Sequence, residues 1–161
     1  MLRRTAKLWP ALLFIACAFS VPPSVVVGAD PETGVARVRS AYSMQETITR
    51  IKQDIDAKGI KFFAEIDQAK LAHDAGIELR PSTLLIFGNP PLGAQFLTSN
   101  PDAGLDWPVR LLVRQDESGT VWAAYTDFAW IAHRFGVKDR EPQFQMASMV
   151  IASITSSVAP K

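Results

Sequence analysis

The residues best equipped for chemistry in this chain are Arg110 and Arg114, four apart and so on one side of an extended strand. Asp106 stands just ahead of them, before Trp107-Pro108, and Tyr125 lies on the next apolar run. Arg80 and Asn89 bracket a third apolar run at its two ends. Brought together, two guanidinium forks, an amide and a phenol would make an anion-recognising pocket, edged by Trp107 and Trp122. With Tyr125 or Asp106 as proton carrier and Arg110 beside them, the same set would suit an enzyme of unrecognised type. The plainer reading is that Asp106 and Arg110 pair with each other and anchor a sheet.

No other set of residues competes with that cluster. The chain has no His-Glu-x-x-His, Gly-x-Ser-x-Gly or Cys-x-x-Cys. Gly88 and Gly93 have the spacing of a phosphate loop, but Ala94-Gln95 follows where a lysine and a hydroxyl are needed. Those glycines are therefore read as turn residues. His73 and Asp74 are adjacent on a helical stretch, about 100° apart, and do not chelate together. His133 stands beside Arg134 among aromatic residues. No metal site and no cofactor are expected; a metal carrier through Asp and Glu side chains is a third, weaker alternative. The favoured function is non-enzymatic binding of a small ligand or a protein, with the enzyme as the alternative.

The elements that must position these residues are short and mixed in type. Val35–Arg39 alternates like a half-buried strand. Ser43 and Glu46 form a capping box, and Met44, Ile48, Ile51 and Ile55 follow as one apolar helical stripe that Gly59 ends. Ile60, Phe62, Ala64 and Ile66 alternate as a strand. Asp67 caps a helix over 68–75, closed by Gly76. Thr83–Phe87 is apolar on both faces, which predicts a central strand covered on two sides or one pressed into a dimer interface. A turn at 88–91, a short helix over 92–98 and a loop over 101–106 come next. Two strands, 107–115 and 120–126, are joined by the hairpin Asp116-Glu117-Ser118-Gly119. Asp127 caps a helix over 128–135. A last helix spans 143–156, with Phe144, Met146, Met149, Val150, Ile151 and Ile154 as its apolar positions. The pattern predicts a single compact α+β domain, mainly an antiparallel sheet with helices packed on it.

Composition sets the frame. The 161 residues are 48 % hydrophobic and 20 % charged, which excludes disorder and suits one core. The first 29 residues differ from the rest: Arg3, Arg4 and Lys7 precede an apolar run from Leu8 to Val21, and Val27-Gly28-Ala29 offers a cleavage site. They are read as a signal peptide cut after Ala29, giving a periplasmic or secreted domain of residues 30–161 without a stable membrane span. The run is shorter than the roughly 20 residues of a comfortable span. A retained anchor and lipidation at Cys17 are the alternatives. Residues 30–161 keep 14 basic and 16 acidic residues, a net charge of −2, and no cysteine. Such a balance argues against a nucleic-acid partner.

Several of these stretches carry a resemblance. Ala64-Glu65-Ile66-Asp67, the run from Gly76 to Pro90, Gly104-Leu105-Asp106-Trp107-Pro108-Val109-Arg110, Val121–Tyr125 and Arg134-Phe135-Gly136 resemble the signature of the domain of unknown function 302 family. The likeness covers about residues 35–155. It implies a compact α+β domain, homodimers for some members, and no agreed activity. Relatives often carry histidines where this chain has Gln68 and Phe135, so any role of those histidines is lost here.

Overall fold

The structure, a computed structural model, describes residues 26–161. The leader assigned to residues 1–29 therefore falls almost wholly outside the described residues. Its last part, Val26–Val27, pairs antiparallel with the strand that follows, Val26 opposite Val38 and Val27 opposite Arg37.

Six strands form one antiparallel sheet. They are β1 (Val26–Val27), β2 (Val35–Arg39), β3 (Lys61–Asp67), β4 (Ser82–Gly88), β5 (Val109–Gln115) and β6 (Val121–Thr126), in the spatial order β1-β2-β6-β5-β4-β3. The helices are α1 (Met44–Ala57), α2 (Gln68–Asp74), α3 (Pro90–Ser99), α4 (Phe128–Arg134) and α5 (Glu141–Ser156). The stretch expected as loop after α3 winds into a 3₁₀ turn, Pro101–Leu105, because Asn100 caps it by accepting from Asp102 N.

Helix starts follow the side chains that can satisfy free amides. Ser43 accepts from Glu46 N, Asp67 from Lys70 N, Asn89 from Leu92 N and Asp127 from Trp130 N. Gly59, Gly76 and Gly136 close α1, α2 and α4 with positive φ, the conformation a side chain resists.

Four helices pack on one face of the sheet. Ile48, Ile51 and Ile55 of α1 meet Leu85, Leu111, Val113 and Ala123 of the sheet, and α3, α4 and α5 add Phe96, Phe128, Ile131, Phe144, Ile151 and Ile154. Each such side chain contributes about 1.5–3 kcal/mol by leaving water.

Two expectations change. The alternation from Ile60 to Ile66 is broken by a bulge between Phe62 and Ala64. Phe62 opposes Phe87 on the helix-covered face, whereas Ala64 and Ile66 oppose Ile86 and Leu84 on the other. In α5, Met146 and Met149 are exposed, and the buried positions are Phe144, Ala147, Ile151, Ile154 and Thr155.

Candidate functional site

The six polar residues singled out by sequence do not converge on one site: Asp106 pairs with Arg110, Arg80 and Arg114 share an open cleft of about 330 Å³ with Asp116 and Glu117, Asn89 lines a separate apolar cleft, and Tyr125 stands apart. Asp106 is buried at the end of the 3₁₀ turn, its side chain 5 % exposed. Its Oδ1 accepts from Arg110 Nη2 at 2.6 Å, and its Oδ2 accepts from Arg134 Nη1 at 3.0 Å. Arg110 also donates to the Leu105 carbonyl at 2.8 Å. The space at this pair is about 10 Å³, one water at most. Asp106 thus ties the turn, β5 and α4 together.

Tyr125 lies on the opposite side of the sheet from the arginines. It opposes Leu111, so it shares the helix-covered face, while Arg110 and Arg114 alternate to the other. Burial, reinforced by the charge of Asp127, raises its phenol above the ordinary tyrosine range. Arg80 pairs with Glu117 at 3.1 Å in solvent, at the far end of β4 from Asn89. Asn89 spends its Oδ1 on the cap of α3. Arg114 opposes Ser82 on one side and Trp122 on the other, on the face away from the core helices. Asp106, Arg110 and Tyr125 therefore open into no common cleft, and Trp107 and Trp122 stand on different sides of the sheet.

Arg134 is the member of the ion-pair cluster that sequence reasoning missed. It lies in the last turn of α4, with its guanidinium over Trp130 and Phe135 at 5.4 and 5.1 Å. Of the two positions where the resemblance implies histidine in relatives, Gln68 accepts from Ser82 Oγ at 2.8 Å. Phe135 receives Asn100 Nδ2 on its carbonyl at 2.8 Å. His73 is 81 % exposed on its side chain. Among the described residues, no group of three His, Cys, Asp or Glu side chains is placed to hold a metal ion.

The most apolar cleft lies elsewhere, between α3 and α5 over the ends of β4 and β5. It is a cleft of about 350 Å³. Phe87 and Val109 lie at its base, Leu92 and Phe96 of α3 on one wall, and Ala147, Val150, Ile151 and Ile154 of α5 on the other. Phe96 stacks on Phe144 at 4.1 Å and leans on Phe128 at 6.4 Å, which fixes one end of the cleft. Met146 and Met149, 52 % and 66 % exposed, stand at its mouth. Methionine's flexible, polarisable side chain adapts to varied apolar shapes. Polar groups are confined to Lys58, Asn89 and Ser153, and Lys58 is already held by both oxygens of Asp54 at 2.9 Å.

Trp107 is seated in this cleft by the two glycines of the apparent phosphate-loop spacing. A Cβ on Gly93 would fall inside the indole, and one on Gly88 would lie 3.2 Å from Nε1. The glycines are there for close approach of a ring, not of a phosphate. Phe63, the residue pushed out by the bulge, meets Trp107 edge-on at 6.4 Å. The glycine pair is the one signal of this arrangement visible in the sequence, and the ring that needs it is not.

The family described as "Domain of unknown function DUF302" matches residues 36–154. The chain belongs to the DUF302 family. The fold of this member is also that of a solved structure, an uncharacterised conserved DUF302 protein from Bacillus stearothermophilus. The two superpose with a TM-score of 0.71 at 18 % identity, over 78 % of this chain and 98 % of that one. Among curated proteins, it is 38 % identical over 103 residues to proteins named fluoride-specific ion channel FluC 1 from Brucella suis and Brucella abortus. That match takes in 64 % of this chain but only 41 % and 38 % of the Brucella proteins. The chain spans about two fifths of the length of these relatives. Among its described residues, no helix is long and apolar enough to cross a membrane.

Proposed function

We propose that this DUF302 domain is a non-enzymatic binding domain that takes an apolar small molecule in the cleft between α3 and α5. One observation carries the reading: a cleft of about 350 Å³ with an apolar base, two apolar walls and methionines at its mouth. Small-molecule sites are concave, mostly apolar and commonly of about 300–1,000 Å³. At about 30 Å³ per water-sized group, the space accepts roughly a dozen non-hydrogen atoms. At about 0.5 kcal/mol per atom, such a ligand binds with a Kd of tens of micromolar. The separation of Asp106, Arg110 and Tyr125 onto two faces favours binding over proton transfer by that set.

The test is titration of the protein with 1-decanol and with 1-naphthylamine, both within that size, read by tryptophan emission and by probe fluorescence. Saturable binding, lost in Ala147→Trp because that ring fills the cleft, is the expected result. Absence of binding below about 1 mM, or equal binding by Ala147→Trp, would overturn the proposal.

The same reading places the domain outside the cytoplasm after a cut at Ala29. Asp30 would then begin the mature chain. Its Oδ1 accepts from Glu32 N and Thr33 N within the turn into β2, whereas the cut would remove β1, the two-residue edge strand.

A further inference from the structure

The cleft between α3 and α5 is apolar over most of its lining, but not at the end where β4 runs into α3. Trp107 and Asn89 stand there. Nε1 is the indole atom nearest to where a Cβ would stand on Gly93 and on Gly88, at 1.9 and 3.2 Å, so the N–H edge of the ring is lodged at that junction. An indole N–H enclosed by protein ordinarily finds an acceptor. Trp122 does, donating to Asp116 Oδ2 at 2.7 Å. Trp107 Nε1 has no acceptor among the described residues. Asn89 is a second donor: its Oδ1 accepts from Leu92 N at 3.2 Å to cap α3, and its Nδ2 has no partner among the described residues.

Charge is balanced at this site. Among the described residues, Lys58 is the one ionisable side chain on the lining, and both oxygens of Asp54 hold its Nζ at 2.9 Å. A carboxylate or an ammonium entering the cleft would give up water without gaining a free counter-charge, which is unfavourable in apolar surroundings. A hydroxyl group can accept from the two donors but brings a proton that neither can take. A carbonyl oxygen has two lone pairs and no proton.

We propose that the ligand of this cleft is an uncharged carbonyl compound, a compact ketone or ester, whose oxygen accepts from Trp107 Nε1–H with Asn89 Nδ2 as the second donor. The inference rests on the binding function proposed above and gives that site a direction. The oxygen end of the ligand faces Asn89 and the end of β4. Its hydrocarbon part lies along Phe87 and Ile151 toward the end closed by the Phe96–Phe144 stack. Few polar contacts suffice in a site of this kind, because the apolar walls supply affinity and the donors fix orientation.

The test is displacement of 1-naphthylamine, read by probe fluorescence, using 1-tetralone, tetralin and 1-naphthoate. Tetralin has the rings of 1-tetralone without its oxygen. The proteins are the parent chain, Trp107→Phe and Asn89→Asp, the last of which keeps the oxygen that caps α3 and removes the amide donor. The affinity of 1-tetralone should fall about three- to tenfold in each variant, while that of tetralin changes by less than about twofold. The parent should bind 1-naphthoate at least about tenfold more weakly than 1-tetralone. Thermal melting shows that the variants fold, and Asn89→Asp decides if Trp107→Phe does not. Binding of 1-tetralone indifferent to both variants, equal losses for 1-tetralone and tetralin, or 1-naphthoate bound as tightly as 1-tetralone would overturn this inference and leave the cleft standing as an apolar site. If 1-naphthylamine itself does not bind, the binding function falls and this inference with it.

Discussion

Gly93→Ala is the sharpest test of the cleft's construction, because sequence and structure predict opposite signs. Gly93 lies inside α3, where exchanging glycine for alanine stabilises a helix by about 0.8–1.0 kcal/mol. In the folded protein, however, the new Cβ coincides with the Trp107 indole at Nε1 and Cε2. These are rigid ring atoms, not the tip of a flexible chain. Gly88 underlies the same Nε1 edge, and Phe63 meets the ring edge-on at 6.4 Å, so relief requires the indole to leave its seat. Overpacking of this kind costs about 1–3 kcal/mol, and the rigid overlap puts it near the upper end. Subtracting the helix gain leaves a net loss of about 2 kcal/mol. For a domain of this size the Tm should fall by roughly 6–8 °C. Urea unfolding followed by circular dichroism, with an unchanged slope, measures the free energy, and Trp emission shows whether the indole has left its seat. Gly104→Ala is the control. Its Cβ would meet only Leu97 at 3.7 Å, so stability should change by less than about 0.5 kcal/mol. A Gly93→Ala protein as stable as the parent, or more stable, would refute the seating of Trp107 between two glycines.

Other consequences can be checked separately. Asp106→Ala should destabilise by about 1–3 kcal/mol in urea titration, less than a fully buried pair would lose, because Arg110 and Arg134 are half-exposed and regain water. A change below about 0.5 kcal/mol would deny Asp106 its role as an anchor. Asp116 is lowered to about 2 by hydrogen bonds from Ser118, then Trp122, and from the amides of Thr120 and Ser118. Its folded pKa lies below the ordinary value of 3.8, so its support of the hairpin is complete above that pH and fades as pH falls toward 2. NMR titration of the Asp116 carboxyl and the Trp122 Nε1–H should show one shared midpoint near 2. For Tyr125 the sign is reversed: stability is full below pH 10 and lost as pH rises further, with phenol absorbance as the readout. Sequencing the N-terminus of protein recovered from the periplasm or medium should give Asp30, and a full-length, membrane-bound chain would contradict the export proposal.

Much of the fold was readable from local pattern. The caps at Ser43, Asp67 and Asp127 and the closing glycines at 59, 76 and 136 act within a few residues of themselves, so sequence alone located the helices they bound. The Asp116–Gly119 turn likewise announced the β5–β6 hairpin. Thr83–Phe87 is apolar on both faces, and the structure divides it: Leu85 and Phe87 enter the core, while Leu84 and Ile86 are half-buried on the other face, outside the core cluster. Spacing also put Arg110 and Arg114 on one face correctly. It offered no means of knowing that Tyr125, on the neighbouring strand, points the other way, because relative register between strands is a tertiary property.

Sequence by itself determined the family, the order and type of nearly every element, and the predominance of antiparallel pairing, since each rests on contacts within a turn or a hairpin. Tertiary structure alone decided the chemistry. It buried Asp106 against two arginines 4 and 28 residues away, leaving no pocket there. It brought α3 against α5 to enclose an apolar cleft, and it slid Trp107 between Gly88 and Gly93. One extra residue in β3 turned Ala64 and Ile66 to the sheet face away from the core helices. Cavities and open faces arise from what packs across the chain, and side chains far apart in sequence carry no local mark of where they will meet.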